Sequence, residues 1–279
     1  MINKSIYMLI NSILLITVTI ACTGDGIGQE QVTYKSLKDV SDAAWKKLNK
    51  KKIYFGHQSV GYNILEGVQD IIKVFPQIKL NIVDTTNIEV FKAAGVFAHS
   101  EIGQNTNPES KIDDFRKLLG TGIGGKADAA ALKLCFVDIT SNTDAQMLFD
   151  DYKNAVIELK KAYPDLIIIH FTEPLTRRQT GWKATIKKII GRSIGGVADN
   201  MKRNEYNELL VKEFQGKDPI LDIAKIESTH LDGTRSSFKV KGKTYYSLAP
   251  EFTNDGGHLN ELGRKQVAEQ LLLLLVNLD

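Results

Sequence analysis

Short apolar runs alternate with longer stretches of helical periodicity from about residue 50 to the end of the chain. Five runs, at 52–55, 79–83, 132–139, 166–171 and 220–223, are rich in Ile, Val, Leu or Phe and predict strands. Several are apolar throughout rather than alternating, which is the pattern of strands covered on both faces. Between them, the spacing of apolar residues predicts helices at 60–74, 111–118, 145–162, 202–214 and 261–278, the last apolar enough to pack on the sheet. Strand and helix in alternation imply parallel strands joined by crossover helices. The expected architecture is α/β, a three-layer α/β/α sandwich around a five-stranded parallel sheet, with 34–279 forming one domain.

Two stretches break the pattern. One is the polar loop 85–108. The other is 172–200, in which TGWKATIKKIIGR reads as a basic amphipathic helix. Long loops in compact domains are commonly functional or mobile. Farther on, FKVKGKTYYSL predicts a hairpin turning at Lys241-Gly242.

Residues 1–21 carry one charge, Lys4, ahead of the apolar run IYMLINSILLITVTIA, and read as a secretory signal outside the fold. An ordinary cleaved signal peptide and an uncleaved membrane helix with Cys22 as a buried apolar side chain are the alternatives to a lipoprotein signal, although the run is near the ~20-residue minimum for spanning and contains Thr and Asn. Ala21-Cys22 resembles the lipobox of bacterial lipoproteins, with Thr19 where an aliphatic residue is usual. That resemblance implies acylation of Cys22, export, and a lipid anchor in the bacterial cell envelope. Residues 22–33 would then be the lipidated cysteine and a flexible tether.

Composition narrows the possibilities. Lys and Arg number 36 against 33 Asp and Glu, a net charge of +3, or +2 without Lys4, too small to imply a nucleic-acid partner. With Cys22 acylated, Cys135 is the one remaining thiol; it sits in LKLCFVDI and reads as inert core. No His-x-x-x-His or paired-cysteine spacing occurs, so no metal is expected. Gly124-Gly125 and Gly195-Gly196 do not follow a strand in phosphate-loop register, so no nucleotide cofactor is expected either.

In open parallel sheets the ligand crevice lies beyond the carboxyl ends of the strands. The first strand runs into Gly56-His57-Gln58-Ser59-Val60-Gly61, which holds a serine at the start of a helix. Ser59 there is either a helix cap or a nucleophile. Far along the chain, Asn254-Asp255-Gly256-Gly257-His258 precedes the final helix, and its glycines permit a tight turn bringing carboxylate to imidazole. Asp255 and His258 are either turn and surface residues or the partners a weak serine nucleophile requires.

Together these stretches resemble the SGNH (GDSL-like) hydrolases, in which a serine after the first strand pairs with Asp-x-x-His before the C-terminal helix. DGGHLNELG carries the closer match; the serine block reads Gly-His-Gln-Ser where the family usually has Gly-Asp-Ser. The resemblance implies a flavodoxin-like sheet of order 2-1-3-4-5, Ser59, Asp255 and His258 as triad, and a serine esterase. It also implies an oxyanion hole made by the Gly103 amide and the Asn142 side chain, although Gly103 also reads as a loop glycine and Asn142 as a turn or cap residue. Asn142 lies in DITSNTD, where Thr140 replaces the glycine of the family's Gly-x-Asn-Asp. For an exported lipoprotein the expected substrate is a small-molecule or glycan ester, such as acetyl groups on carbohydrate. Transfer of the acyl group to a sugar, and a non-catalytic glycan-binding protein on a decayed scaffold, are the competing readings.

His57, His99 and His170 read as substrate-contact or satisfied structural histidines. Arg177-Arg178 and Lys187-Lys188 suit an anionic polysaccharide, lipid headgroups or plain solvated surface, and Trp182 among them is a sugar-stacking residue or a loop anchor.

Overall fold

The computed structural model describes residues 33–190 and 193–278. The expected signal at 1–21, Cys22 and nearly all of the tether lie outside the described residues. Six parallel strands form one sheet: β1 (Lys52–His57), β2 (Asn81–Asp84), β3 (Val96–Glu101), β4 (Ala129–Leu132), β5 (Ile167–Phe171) and β6 (Ile220–Leu221), in the order β2-β3-β1-β4-β5-β6. The α/β sandwich class holds, with six strands rather than five. The expected order holds for β2, β1, β5 and β6, with β4 in the place expected of the run 132–139, but β3 is inserted between β2 and β1.

Alternation along the central strands divides the core. Ile53 and Phe55 face one side with Ala129, Ala131, Ile169 and Phe171, whereas Tyr54 faces the other with Ala98, Ala130 and Ile168. The first side is covered by α1 (Asp42–Leu48), α2 (Val60–Val74), α7 (Ile223–Ser228) and α8 (Glu261–Val276). The second is covered by α3 (Pro108–Leu118), α4 (Ala145–Ala162) and α6 (Ala198–Phe214). Burial on both faces explains why β1 lacks a polar alternation.

β3 escapes the apolar pattern because it contains His99 and Ser100, both buried. Each finds its partner on β1: Ser100 Oγ lies 2.7 Å from the Tyr54 hydroxyl, and His99 Nδ1 lies 3.1 Å from His57 Nε2. Hydrogen bonds between side chains thus replace the hydrophobicity that normally marks a buried strand. The run at 132–139 is not a strand beyond its first residue. The strand is the alanine-rich segment just before it, and the chain then turns, with Asp138 Oδ2 accepting the Cys135 amide at 2.6 Å and the Asp138 amide donating to Cys135 O at 2.7 Å.

The expected hairpin is present as β7 (Ser237–Val240) and β8 (Lys243–Tyr246), with Lys241 and Gly242 both at positive φ, as a two-residue turn between twisted strands requires. Between β5 and α6 stands α5 (Trp182–Ile189).

Candidate active site

β1 delivers the chain into a two-residue turn that ends at Ser59, the N-cap position of α2. Ser59 has φ 54° and ψ −112°, a left-handed conformation that a residue with a Cβ rarely adopts. The turn is held from several sides. The Gly61 amide donates to Gln58 O at 3.0 Å and the Tyr62 amide to Ser59 O at 2.9 Å. Gln58 Nε2 donates to Ile102 O and Gly103 O, at 2.9 and 2.8 Å, and so clamps the turn to the loop after β3. A serine at this position would ordinarily cap its helix, but Ser59 makes no cap bond. Its Oγ lies instead 2.7 Å from His258 Nε2, across 199 positions of sequence.

His258 is aimed by its own loop. Asp255 Oδ1 accepts the Gly257 and His258 amides, both at 2.8 Å, and Oδ2 lies 2.7 Å from His258 Nδ1. Thr253 Oγ1 accepts the Gly256 amide at 2.9 Å and donates to Asp255 Oδ1 at 3.2 Å. Gly256 takes φ 94°, and a Cβ at Gly257 would overlap the Phe136 ring, so both glycines are needed for the turn. The Leu259 amide donates to Asn63 Oδ1 at 3.2 Å, which ties the loop to the first turn of α2.

Partial burial works to raise the Asp255 pKa, but the Gly257 amide, the His258 ring and the His258 amide outweigh it and hold the carboxyl well below the usual range. An ionised carboxylate only accepts hydrogen bonds, so Nδ1 of His258 carries the proton and Nε2 accepts from the Ser59 hydroxyl. Serine, imidazole and carboxylate therefore form a hydrogen-bonded chain of one direction, hydroxyl to Nε2 and Nδ1–H to carboxylate. Phe136 meets the His258 ring edge-on, 5.4 Å between centroids.

No family model and no curated protein matches the chain. Solved structures do resemble it in fold. A GDSL-like lipase from Bacteroides thetaiotaomicron is 16% identical, with 82% of this chain and 89% of that one covered and a TM-score of 0.45. A lipase from a goat rumen metagenome is 11% identical over 80% and 95%, TM-score 0.44. The periplasmic domain of the lipopolysaccharide acetyltransferase of Salmonella ser. Paratyphi A is 11% identical over 78% and 81%, TM-score 0.41. The chain is similar in structure to GDSL-like lipases.

Ser59, Asp255 and His258 are brought together; the two residues expected to form the oxyanion hole are not. The Gly103 amide points away, donating to Asp114 Oδ2 at 2.8 Å, and Gly103 uses its φ of 54° to pass close over the Lys111 backbone. Asn142 lies on an exposed loop that is tied through the Ser141 amide to Asp199, and no hydrogen bond among the described residues joins it to Ser59. Because β4 ends at Leu132, the segment that passes Ser59 is 133–136, with Cys135 Sγ 3.4 Å from Gln58 O. At the N-terminus of α2, the Ser59 amide has no acceptor among the described residues.

The histidines at 57, 99 and 170 are structural. His57 is fully buried against Phe55, and burial, Lys133 and His99 push its pKa far down, so it stays neutral. His170 is sandwiched in the core against Phe214, its Nδ1 2.8 Å from the Tyr152 hydroxyl, and does not line the crevice. Cys135 is buried, as expected of a core thiol. Among the described residues no group of three or more His, Cys, Asp or Glu could hold a metal ion. A cleft of about 680 Å³ lined by Tyr34, Asp222, His230 and Asn277 contains none of the triad.

Sequence reasoning missed the supporting residues Gln58, Asn63, Phe136 and Thr253. None carries a motif of its own, and each acts by a contact that only the fold creates.

Proposed function

We propose that the chain is a serine ester hydrolase of the GDSL-like kind, with Ser59 as nucleophile, His258 as general base and Asp255 as its orienting carboxylate. The observation that carries this reading is the Ser59 hydroxyl, held in a strained turn and pointed at an imidazole that a carboxylate fixes in the right tautomer. In the proposed reaction His258 Nε2 takes the Ser59 proton as Oγ bonds to the ester carbonyl carbon. The tetrahedral oxyanion faces the unengaged amide of Ser59, a donor already aligned at the positive end of α2. His258 then gives its proton to the departing alkoxide, which leaves the acyl group on Ser59. His258 then deprotonates a water whose oxygen bonds to the acyl carbon; the Oγ–acyl bond breaks, His258 returns the proton to Ser59 Oγ, and the acyl group leaves as a carboxylic acid.

The His258 and Asp255 side chains are 46% and 57% exposed, so the relay lies open on the surface. Such a site suits an ester carried on a large molecule, and acetyl groups on envelope glycans are the substrate class we assign. The same openness favours a second reading, acyl transfer to a sugar hydroxyl, which product analysis with and without an acceptor sugar separates. Export and lipid anchoring at Cys22 belong to the proposal and are tested by incorporation of labelled fatty acid, expected to be lost in Cys22→Ser.

A fluorophosphonate probe tests the assignment. Wild type labels, and Ser59→Ala and His258→Ala do not; on an ester substrate His258→Ala loses on the order of 10⁶ in kcat. Undiminished labelling of Ser59→Ala would place the nucleophile elsewhere.

A further inference from the structure

The insertion between β5 and α6 has a character that the triad does not use. Residues 174–198 contain six basic residues, Arg177, Arg178, Lys183, Lys187, Lys188 and Arg192, and no acidic one, whereas the rest of the chain has 30 basic and 33 acidic. α5 occupies the middle of this segment. Trp182, Ile186, Ile189 and Ile190 stand at i, i+4, i+7 and i+8, which places them on one stripe of a helix. In a helix serving the core that stripe faces inward. Here it faces solvent, with the four residues 70, 46, 78 and 56% exposed, while Ala184 is buried.

The segment that carries this stripe starts beside the candidate active site. At the insertion's entry the Arg177 amide donates to Gly256 O, within the Asp255–His258 turn, at 2.8 Å. Its neck is closed by the Gln179 amide on Gly195 O at 2.9 Å, and Lys187 Nζ donates to Gln179 Oε1 at 2.8 Å. The helix is thus presented from a braced stem whose base is the histidine-bearing loop.

We propose that α5 is an interfacial docking element that lays its apolar stripe into an anionic bilayer while the surrounding basic residues meet lipid headgroups. An exposed apolar stripe gains only from a partner with hydrocarbon to offer, and a segment with six positive charges and no negative one selects a partner of net negative charge. An anionic lipid surface supplies both; a soluble anionic polysaccharide supplies only the second. Docking through α5 sets the Ser59–His258 relay at the membrane surface, and it holds whether or not the relay hydrolyses esters.

The full chain in dilute detergent is mixed with vesicles of phosphatidylcholine alone or with phosphatidylglycerol, in either case bearing brominated acyl chains that quench tryptophan at bilayer depth. The chain has two tryptophans, and Trp45 is buried in the core, so a quenched signal reports Trp182 and disappears in Trp182→Phe. Quenching is expected at roughly tenfold lower lipid concentration with phosphatidylglycerol than without it, the advantage shrinking as salt is added. The Ile186→Ser/Ile189→Ser variant, altered only at exposed positions, is expected to lose the quenching and keep its fluorophosphonate labelling. Absence of Trp182 quenching with both vesicle types overturns the proposal. So does quenching that survives the double substitution, which would assign attachment to the N-terminal segment. A Trp182 response to dextran sulfate but not to vesicles overturns it in favour of a glycan-binding surface.

Discussion

Ser59 combines two unfavourable local choices, a positive φ and a forgone helix cap, which together cost on the order of 2–4 kcal/mol. The surrounding structure sustains that cost through Gln58, whose side-chain amide bonds two carbonyls of the loop after β3. Gln58→Ala removes the clamp but neither reacting atom, so it is expected to lower kcat by about tenfold to a hundredfold with little change in KM, read from steady-state kinetics on a soluble ester. Asp255→Asn keeps the acceptor oxygen for the turn amides but presents an NH₂ group to His258 Nδ1. That reverses the tautomer, so Nε2 no longer accepts from Ser59, and kcat is expected to fall by about 10⁴. Because Asp255 is held ionised far into acid, its own protonation does not set the acid limb of the activity profile. Behind the site, Glu173 is fully buried with both carboxylate oxygens unpartnered, and burial and the nearby Asp138 push its pKa up to about 8. Its folded pKa lies above its unfolded one, so the folded state holds a proton that the unfolded state has lost between these values, and stability falls as pH rises through that window. Glu227, buried beside it with a pKa likewise pushed up to about 8, shares this dependence, so Glu173→Gln is expected to reduce the slope and to gain more stability over wild type at pH about 8.5 than at about 5.5, as measured by urea unfolding.

At the level of elements, what the sequence made legible was what hydrophobic spacing alone decides: four strands, β1, β2, β5 and β6, in the right order, helices α2, α4 and α8, and the hairpin turn at Lys241-Gly242. β3 was illegible because His99 and Ser100 are satisfied by residues of β1, a fact that emerges only once the two strands lie side by side. β4 was misplaced because three alanines signal a strand weakly, while the apolar letters after it build a turn around Asp138. The same displacement moved the expected oxyanion residue to Asn142, several positions beyond the segment that passes Ser59. The meeting of Ser59 with Asp255 and His258, in contrast, was legible because Asp255 and His258 sit three residues apart in one turn, so local chemistry marked them. Where β1 meets α2, Gly61 leaves room for the buried His57 ring, which a Cβ would overlap. Gly61→Ala is expected to cost about 1–3 kcal/mol in thermal or urea unfolding and to lower fluorophosphonate labelling, because moving His57 shifts the turn that holds Ser59.

For the whole molecule, the decisive packing is between α2, which begins at Ser59, and α8, which follows His258. Gly67 of α2 lies directly against the Arg264 backbone of α8, and Arg264 reaches back to Glu66 and Asp70 at 2.9 and 2.7 Å. α8 fixes itself to the sheet through Val267, Leu271, Leu272 and Leu275, all buried. Leu272→Ala is expected to destabilise the domain by about 2–5 kcal/mol in equilibrium unfolding, with labelling and folded fraction falling together. The Ser59–His258 contact spans 199 positions, which imposes an order in time. During synthesis the alcohol exists long before its imidazole, and no shorter nascent chain contains both. Whatever chemistry the pair performs therefore switches on only after the 199 positions that follow Ser59 have been made and the two segments have folded together.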